Sequence, residues 1–426
     1  MRYEDTCHVT DLRAFDTMVP EIARNYQLAD GVLFRTLPYC YETLEGASFV
    51  NVYAVDLTHN SSWRFDMHFA QRGEHCVTLA NIADKASSNA LLCAMNCNFG
   101  LIADDLENYP PDIAYNLHVE NGSVFQLPVA DKTALLIDEA GHLTMSFLQS
   151  RGTLTLQHHV YSWAGSLSHR SNDDSLPTTL VAYNAYNAGL LRVPHDITGT
   201  RQLCDPTSSF TPLTPTRTDL VFRHDGTSLR LTLKRPNGST HVFSGHLLLS
   251  APNWLADTFE VGSAISSVTL SGVPLSQVTG ATSGAILTQN DDETERNILA
   301  SQVIQTRDAQ GRAVVTGNPR FCRACIIEQP WGWTLLLADA RKGVVGQSGL
   351  TIAELRRMVH SMYPTYQRLT NVDGGHAAKM IIKRDGECHV YGNLHYKIWP
   401  TRSNPRFVWD GYHGRRIPAI LSVRTV

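Results

Sequence analysis

Residues 351–364 read TIAELRRMVHSMYP and residues 371–382 read NVDGGHAAKMII, and the passage from the first to the second decides the fold. Thr351 and Glu354 have the spacing of a capping box, in which each side chain bonds the other residue's backbone N–H. Ile352, Leu355, Val359 and Met362 recur on one helical face, and Pro364 ends the pattern. Beyond the helix, Asn371-Val372 leads into Asp373-Gly374-Gly375-His376 and then to the apolar pair Ile381-Ile382. The order is a helix, a glycine turn bearing a carboxylate, and an apolar segment. Glycine has no Cβ and tolerates positive φ, so Gly374 and Gly375 let backbone and ligand approach closely. An Asp-Gly step is equally at home in a plain turn. The residues alone leave both readings open.

Working outward, Phe49–Leu57 (FVNVYAVDL) is β-branched and aromatic and predicts a strand. Leu135–Met145 predicts a hairpin around Gly141, and Leu220–Leu249 alternates strand-like runs with turn residues such as Pro236-Asn237-Gly238. Ala83, Ala86, Ala90 and Cys93 are spaced for one helical face, which predicts a helix over Ile82–Cys93. Proline, serine and threonine crowd Asp205–Thr218, the composition of a surface loop. Gln289–Arg296 (QNDDETER) reads as a solvated loop or helix start, its carboxylates facing water rather than a cation. Strands outnumber helices and no regular β-α alternation is visible. The expected class is therefore α+β, with β-rich mixed or antiparallel sheets and a few packed helices, not a doubly wound fold.

The bulk properties narrow the function. A chain of 426 residues with 43% hydrophobic content has ample core, and its formal net charge is -4 with acids and bases interspersed. No basic block points to nucleic acid, and no acidic tail points to a disordered partner segment. No apolar run reaches the ~18 residues needed to span a bilayer. Met1–Cys7 lacks the basic-then-apolar order of a secretory signal, so the expectation is a cytoplasmic protein unless a targeting segment lies outside this chain. Nine cysteines, an odd number thinly spread, argue against a disulfide framework. Cys322 and Cys325 form a C-x-x-C pair within FCRACII, a strand-like run in which residues three apart point to opposite faces. They read as buried thiols rather than metal ligands, and no metal or cofactor is expected.

Several segments, in order, resemble the phosphodiester glycosidase family. The family signature Asn-Leu-Asp-Gly-Gly-Gly-Ser follows a Ser-x-Gly-Leu-Thr stretch and a helix. Here Ser348-Gly349-Leu350-Thr351, the capped helix, and Asn371-Val372-Asp373-Gly374-Gly375 reproduce that order. Asn318-Pro319-Arg320 is similar to the family's Pro-Arg-Thr segment, and Asp339-Ala340-Arg341 to its Asp-Gly-Arg. Ala94-Met95-Asn96-Cys97-Asn98-Phe99 resembles Ala-Ile-Asn-Gly-Gly-Phe, and Gly414-Arg415-Arg416-Ile417-Pro418-Ala419 resembles the closing Arg-x-Val-Pro strand. The resemblance implies an N-terminal extension over residues 1–30 and one family-like domain over 31–426, with a divergent middle at about 160–280. Two departures stand out. His376 and Ala377 replace the third glycine and the serine, and Cys97 and Asn98 replace a glycine pair.

What the resemblance implies chemically is cleavage of the bond between an anomeric carbon and a phosphate oxygen. The substrate is then a sugar-1-phosphodiester or nucleotide sugar. A phosphate monoester departs with little protonation, so such an enzyme depends less on a general-acid carboxylate than other glycosidases do. It needs cations or backbone donors at the departing phosphate and a group that orients water. Asp373 is the candidate base or oxocarbenium stabiliser, Asn96 and Asn371 are candidates to hold water or sugar hydroxyls, and Ser348 is a candidate phosphate or sugar contact. Arg320, Arg341 and Arg416 suit phosphate because a guanidinium fork matches its oxygens; the same arginines suit plain ion pairs. Gly374 and Gly375 lend backbone to the site. His376 is either a phosphate ligand or acid, or a side chain filling the space left by glycine and serine. Two rival functions remain: action on another glycosyl bond, and a glycan- or protein-binding role without turnover. The oligomeric state is open.

Overall fold

The computed structural model describes residues 20–43, 46–69, 90–97, 117–129, 131–166, 180–183, 211–241, 246–287, 305–307, 313–315, 320, 322–340, 349–392, 396–398, 408–410, 417 and 419–426. The chain forms two compact units, one of residues 1–68, 76–98 and 285–426, the other of 69–75 and 99–284. The first unit holds every candidate site residue.

In the first unit the larger sheet runs in the order Arg24–Ala29, Val32–Thr43, Gly46–Thr58, Gly332–Asp339, Arg323–Gln329, Arg368–Val372. Arg24–Ala29, on the extension side of the 30/31 division expected from sequence, is its edge strand. Ile286 and Leu287 then pair with Asn371 and Thr370. Phe49–Leu57 lies within Gly46–Thr58, and its middle is buried at consecutive positions, as in a strand covered on both faces. A five-stranded sheet runs Glu387–Gly392, Lys379–Arg384, Leu91–Asn96, Ala419–Thr425, Trp63–Phe69. The sheets stack face to face through aromatic pairs: Phe34 and Tyr53 meet Tyr391 at 5.3 and 4.5 Å, and Phe65 meets Trp333 edge-on at 6.0 Å.

The Ile352–Met362 helix covers the opposite face of the larger sheet. Arg35 neighbours Phe34 and so points away from the sandwich core, and it bonds Tyr363 at the helix end. The Tyr363 hydroxyl also donates to Asp56 at 2.9 Å, which ties the same helix end to the neighbouring strand. The capping box forms: Glu354 N donates to Thr351 Oγ1 at 3.1 Å, and Thr351 N donates to Glu354 Oε2 at 2.9 Å.

The second unit contains an eight-stranded sheet in the order Arg151–Leu156, His159–Gly165, Leu180–Tyr183, His246–Pro252, Leu213–His224, Leu229–Gly238, Ala264–Leu270, Val273–Pro274. Arg151–Leu156 also pairs with Ala264–Leu270, which closes the sheet on itself. Its core gathers Leu154, Trp163, Leu180, Phe222, Leu249 and Phe259, all within one contiguous cluster. The expected hairpin is present as Lys132–Asp138 paired with Leu143–Leu148, with Gly141 at φ 81°.

Among the described residues the strand registers are antiparallel except for His159–Gly165 with Leu180–Tyr183. The fold is β-rich, as expected, with fewer helices than anticipated: Asn253–Ala256 and Ile352–Met362 are its described α-helices. Three local expectations need correction. Leu91–Cys93, the end of the expected helix, is strand, because Leu91–Asn96 is a central strand buried at every position and so has no alternation to betray it. Residues 82–89 lie outside the described residues. Leu213–Thr218, expected as loop, is the mostly exposed start of a long strand. Pro236–Gly238 ends a strand rather than standing between two, although Asn237 and Gly238 do adopt positive φ. Gln289–Arg296 falls outside the described residues.

Candidate functional site

The Asp373 turn carries the chain from one sheet of the sandwich to the other. It leaves the Arg368–Val372 strand of the larger sheet, makes a short 3-10 turn over Gly375–Ala377, and enters Lys379–Arg384 of the five-stranded sheet. Both glycines are required by geometry. A Cβ on Gly374 would lie 2.7 Å from the Cys322 carbonyl oxygen. Gly375 has φ 59°, and its N–H donates to that same carbonyl at 2.7 Å. The turn is thus pressed onto the end of the Arg323–Gln329 strand.

Asn96 closes the turn from the other side. It is fully buried at the end of Leu91–Asn96. Its Nδ2 donates to the Asp373 carbonyl at 2.8 Å, and its Oδ1 accepts from Lys379 N at 3.0 Å. One side-chain amide therefore fixes the backbone on both flanks of the glycines. The Asp373 side chain, carried by this clamped backbone, is half-buried.

Asn371 is also fully buried, and among the described residues neither its Nδ2 nor its Oδ1 has a hydrogen-bond partner. It pairs in register with Cys325, so Asn371, Cys325 and Arg323 share the face that the helix covers. An amide buried without partners costs about 1–3 kcal/mol per lost bond, a cost the fold retains next to the candidate carboxylate.

Arg320 is held by Glu354, Nε at 3.1 Å from Oε2 and Nη2 on Oε1, and its guanidinium lies 6.0 Å from the Tyr41 ring. The cation expected at a phosphate thus braces the helix cap in this structure. His376 lies in the 3-10 turn by its backbone, and its side chain is outside the described residues, as are Arg341, Ser348 and Arg416. Next to Ser348, the Gly349 carbonyl accepts from the Tyr41 hydroxyl at 2.7 Å.

The structure adds Arg323, a residue the sequence reading passed over. Only 3% exposed, it donates from Nε to the Leu350 carbonyl at 2.8 Å. Its Cδ and Nη1 lie 3.7 and 3.8 Å from where a Cβ on Gly374 would sit. Burial pushes the guanidinium down to about 10, and the neighbouring Cys322, Asp373 and Glu354 oppose that shift. It is a cation at neutral pH. The signal was present in FCRACII: a charge inside an apolar strand must find a counter-charge or it would not be tolerated there. Lys379, 1% exposed, carries the same signal ahead of Met380-Ile381-Ile382.

Cys325 is buried within the Arg323–Gln329 strand, and Cys322 is buried immediately ahead of it. Burial and the nearby Asp339 hold the Cys322 thiol well above its ordinary range, and burial does the same for Cys325 and Cys97. None is a thiolate nucleophile at neutral pH. Among the described residues no helix is long and apolar enough to cross a membrane.

No family model and no curated protein matches the chain. Solved structures do. A hypothetical protein from Synechocystis superposes with a TM-score of 0.54 at 11% identity, over 95% of this chain and 64% of that one. A candidate exported protein from Burkholderia pseudomallei gives a TM-score of 0.49 at 15% identity, over 88% and 74%. The catalytic domain of zebrafish N-acetylglucosamine-1-phosphodiester alpha-N-acetylglucosaminidase, auto-inhibited by its pro-peptide, gives 0.42 at 10% identity, over 95% and 88%. The chain thus spans somewhat under two thirds of the Synechocystis protein, with which it shares a fold.

Proposed function

We propose that the protein hydrolyses the glycosyl–phosphate bond of a sugar-1-phosphodiester or nucleotide sugar, with Asp373 as the group that activates water or steadies the oxocarbenium ion. Supporting it above all is the Asn96 amide, which bonds the Asp373 carbonyl at 2.8 Å and Lys379 N at 3.0 Å and so fixes the turn that bears the carboxylate. A catalytic carboxylate needs such rigid support, because a displacement of about 1 Å can cost ~100-fold in rate. The ordered motifs that resemble the phosphodiester glycosidases add independent support. In the reaction a water oxygen bonds the anomeric carbon, the carbon–oxygen bond to phosphate breaks, and the phosphate leaves with the electron pair. The water proton passes to the Asp373 carboxylate.

The test is incubation with UDP-N-acetylglucosamine and a panel of sugar-1-phosphodiesters, with free sugar measured. Release of sugar by the wild type, reduced at least ~100-fold by Asp373→Asn, is expected for loss of a group acting on water. Binding without sugar release from any member of the panel overturns this reading and leaves a glycan-binding protein.

A further inference from the structure

The guanidinium of Arg323 is removed from water, and a charge in that condition requires partners fixed around it. Three facts locate those partners. Nε bonds the Leu350 carbonyl, immediately ahead of the helix cap at Thr351. Nη1 lies against Gly374, inside the Asp373–Gly375 turn. Among the described residues Cys322, Asp373 and Glu354 act on its charge, and Glu354 is itself held by Arg320. Arg320 and Glu354 thus form an ion pair at the helix cap, next to the loop that Arg323 bonds.

We infer that Arg323 is a positioning residue, which ties the Leu350 loop to the Asp373–Gly375 turn and sets the orientation of the Asp373 carboxylate through its charge. This rests on the function proposed above only for its kinetic readout. Arg323 itself is too enclosed to meet substrate, and it acts through Asp373. A neighbouring cation favours the ionised form of a carboxylate, so removal of Arg323 leaves Asp373 a weaker acid and less firmly aimed.

The direct test labels aspartate carboxyl carbons with 13C and follows the Asp373 resonance, assigned by its loss in Asp373→Asn, through a pH titration. In Arg323→Met the Asp373 midpoint is expected to rise by about one pH unit or more, and in Arg323→Lys by less. An unchanged midpoint in both variants overturns the inference. In parallel, with a diester that the wild type cleaves, kcat of Arg323→Met is expected to fall about 100-fold while KM stays within about twofold. A raised KM at unchanged kcat overturns the positioning role. If the wild type cleaves no diester, the proposed function fails while the titration still decides the role of Arg323. Should Arg323→Met not fold, the double variant Arg323→Met with Asp373→Asn is expected to regain folding, because both members of the pair are neutral. Failure to regain it counts against the pairing.

Discussion

The side-chain amide of Asn96 is one donor and one acceptor set between two backbone groups that need opposite partners. The Asp373 carbonyl requires a donor and Lys379 N–H an acceptor. Asparagine meets both, and aspartate meets only the second, since an ionised carboxylate has no hydrogen to give. Asn96→Asp is therefore expected to destabilise the protein by about 2–4 kcal/mol, setting a carboxylate against a carbonyl in a buried site. Urea unfolding followed by tryptophan fluorescence measures it; a loss below half a kilocalorie would show that the clamp is not needed. This role was hidden in the sequence. Ala94-Met95-Asn96 reads as strand followed by polar residue, and only the fold brings position 96 beside 373. Arg323 was legible in principle, as a charge within FCRACII, but the counter-charge that explains it lies 50 positions further on, at Asp373.

At the scale of elements, the Ile352–Met362 helix and the turn that follows behave differently toward prediction. The capping box is local, with donor and acceptor three residues apart, so Thr351 and Glu354 announced it and the structure has it. The Leu91–Asn96 strand is decided by neighbours on both sides, from Lys379–Arg384 and Ala419–Thr425, and its own letters suit helix as well as strand. Glu354 also couples its helix to pH. Burial pushes its carboxyl up, but bonds from Arg320 and from Thr351 outweigh this and leave it below its ordinary value of 4.5. A depressed folded value means that the stabilisation is present above the unfolded value and is lost as pH falls through the folded one. Glu354→Gln is expected to remove that part of the acid sensitivity, so the variant's stability changes less than wild type's between pH 4.5 and lower pH. Urea midpoints across that range check it. Parallel wild-type and variant curves would mean that Glu354 contributes no pH dependence.

For the molecule as a whole, the division into units gives a further expectation. The core of the second unit lies entirely between Leu117 and Ala281, and its eight-stranded sheet closes through the pairing of Arg151–Leu156 with Ala264–Leu270. Closure leaves few open edges to recruit other chains. A polypeptide of residues 99–284 is expected to fold alone, with cooperative urea unfolding and a blue-shifted contribution from Trp163, which is 1% exposed. Non-cooperative unfolding would show that the unit depends on the rest of the chain. Its existence was not readable in advance: the sequence shows only a divergent middle there, because closure depends on pairing between strands more than 100 residues apart.

The Asn96 clamp also sets a schedule. Its partner Asp373 follows 277 positions later in the chain. At the ~5–20 residues per second of ribosomal synthesis, a nascent Asn96 waits roughly 14–55 s for the carbonyl it will hold. Late in that interval, once residue 284 has been made, the second unit can already have formed, while the glycine turn does not yet exist. The clamp is completed only once Asp373 and Lys379 have emerged, so a product stalled before them carries Asn96 with neither of its two backbone partners.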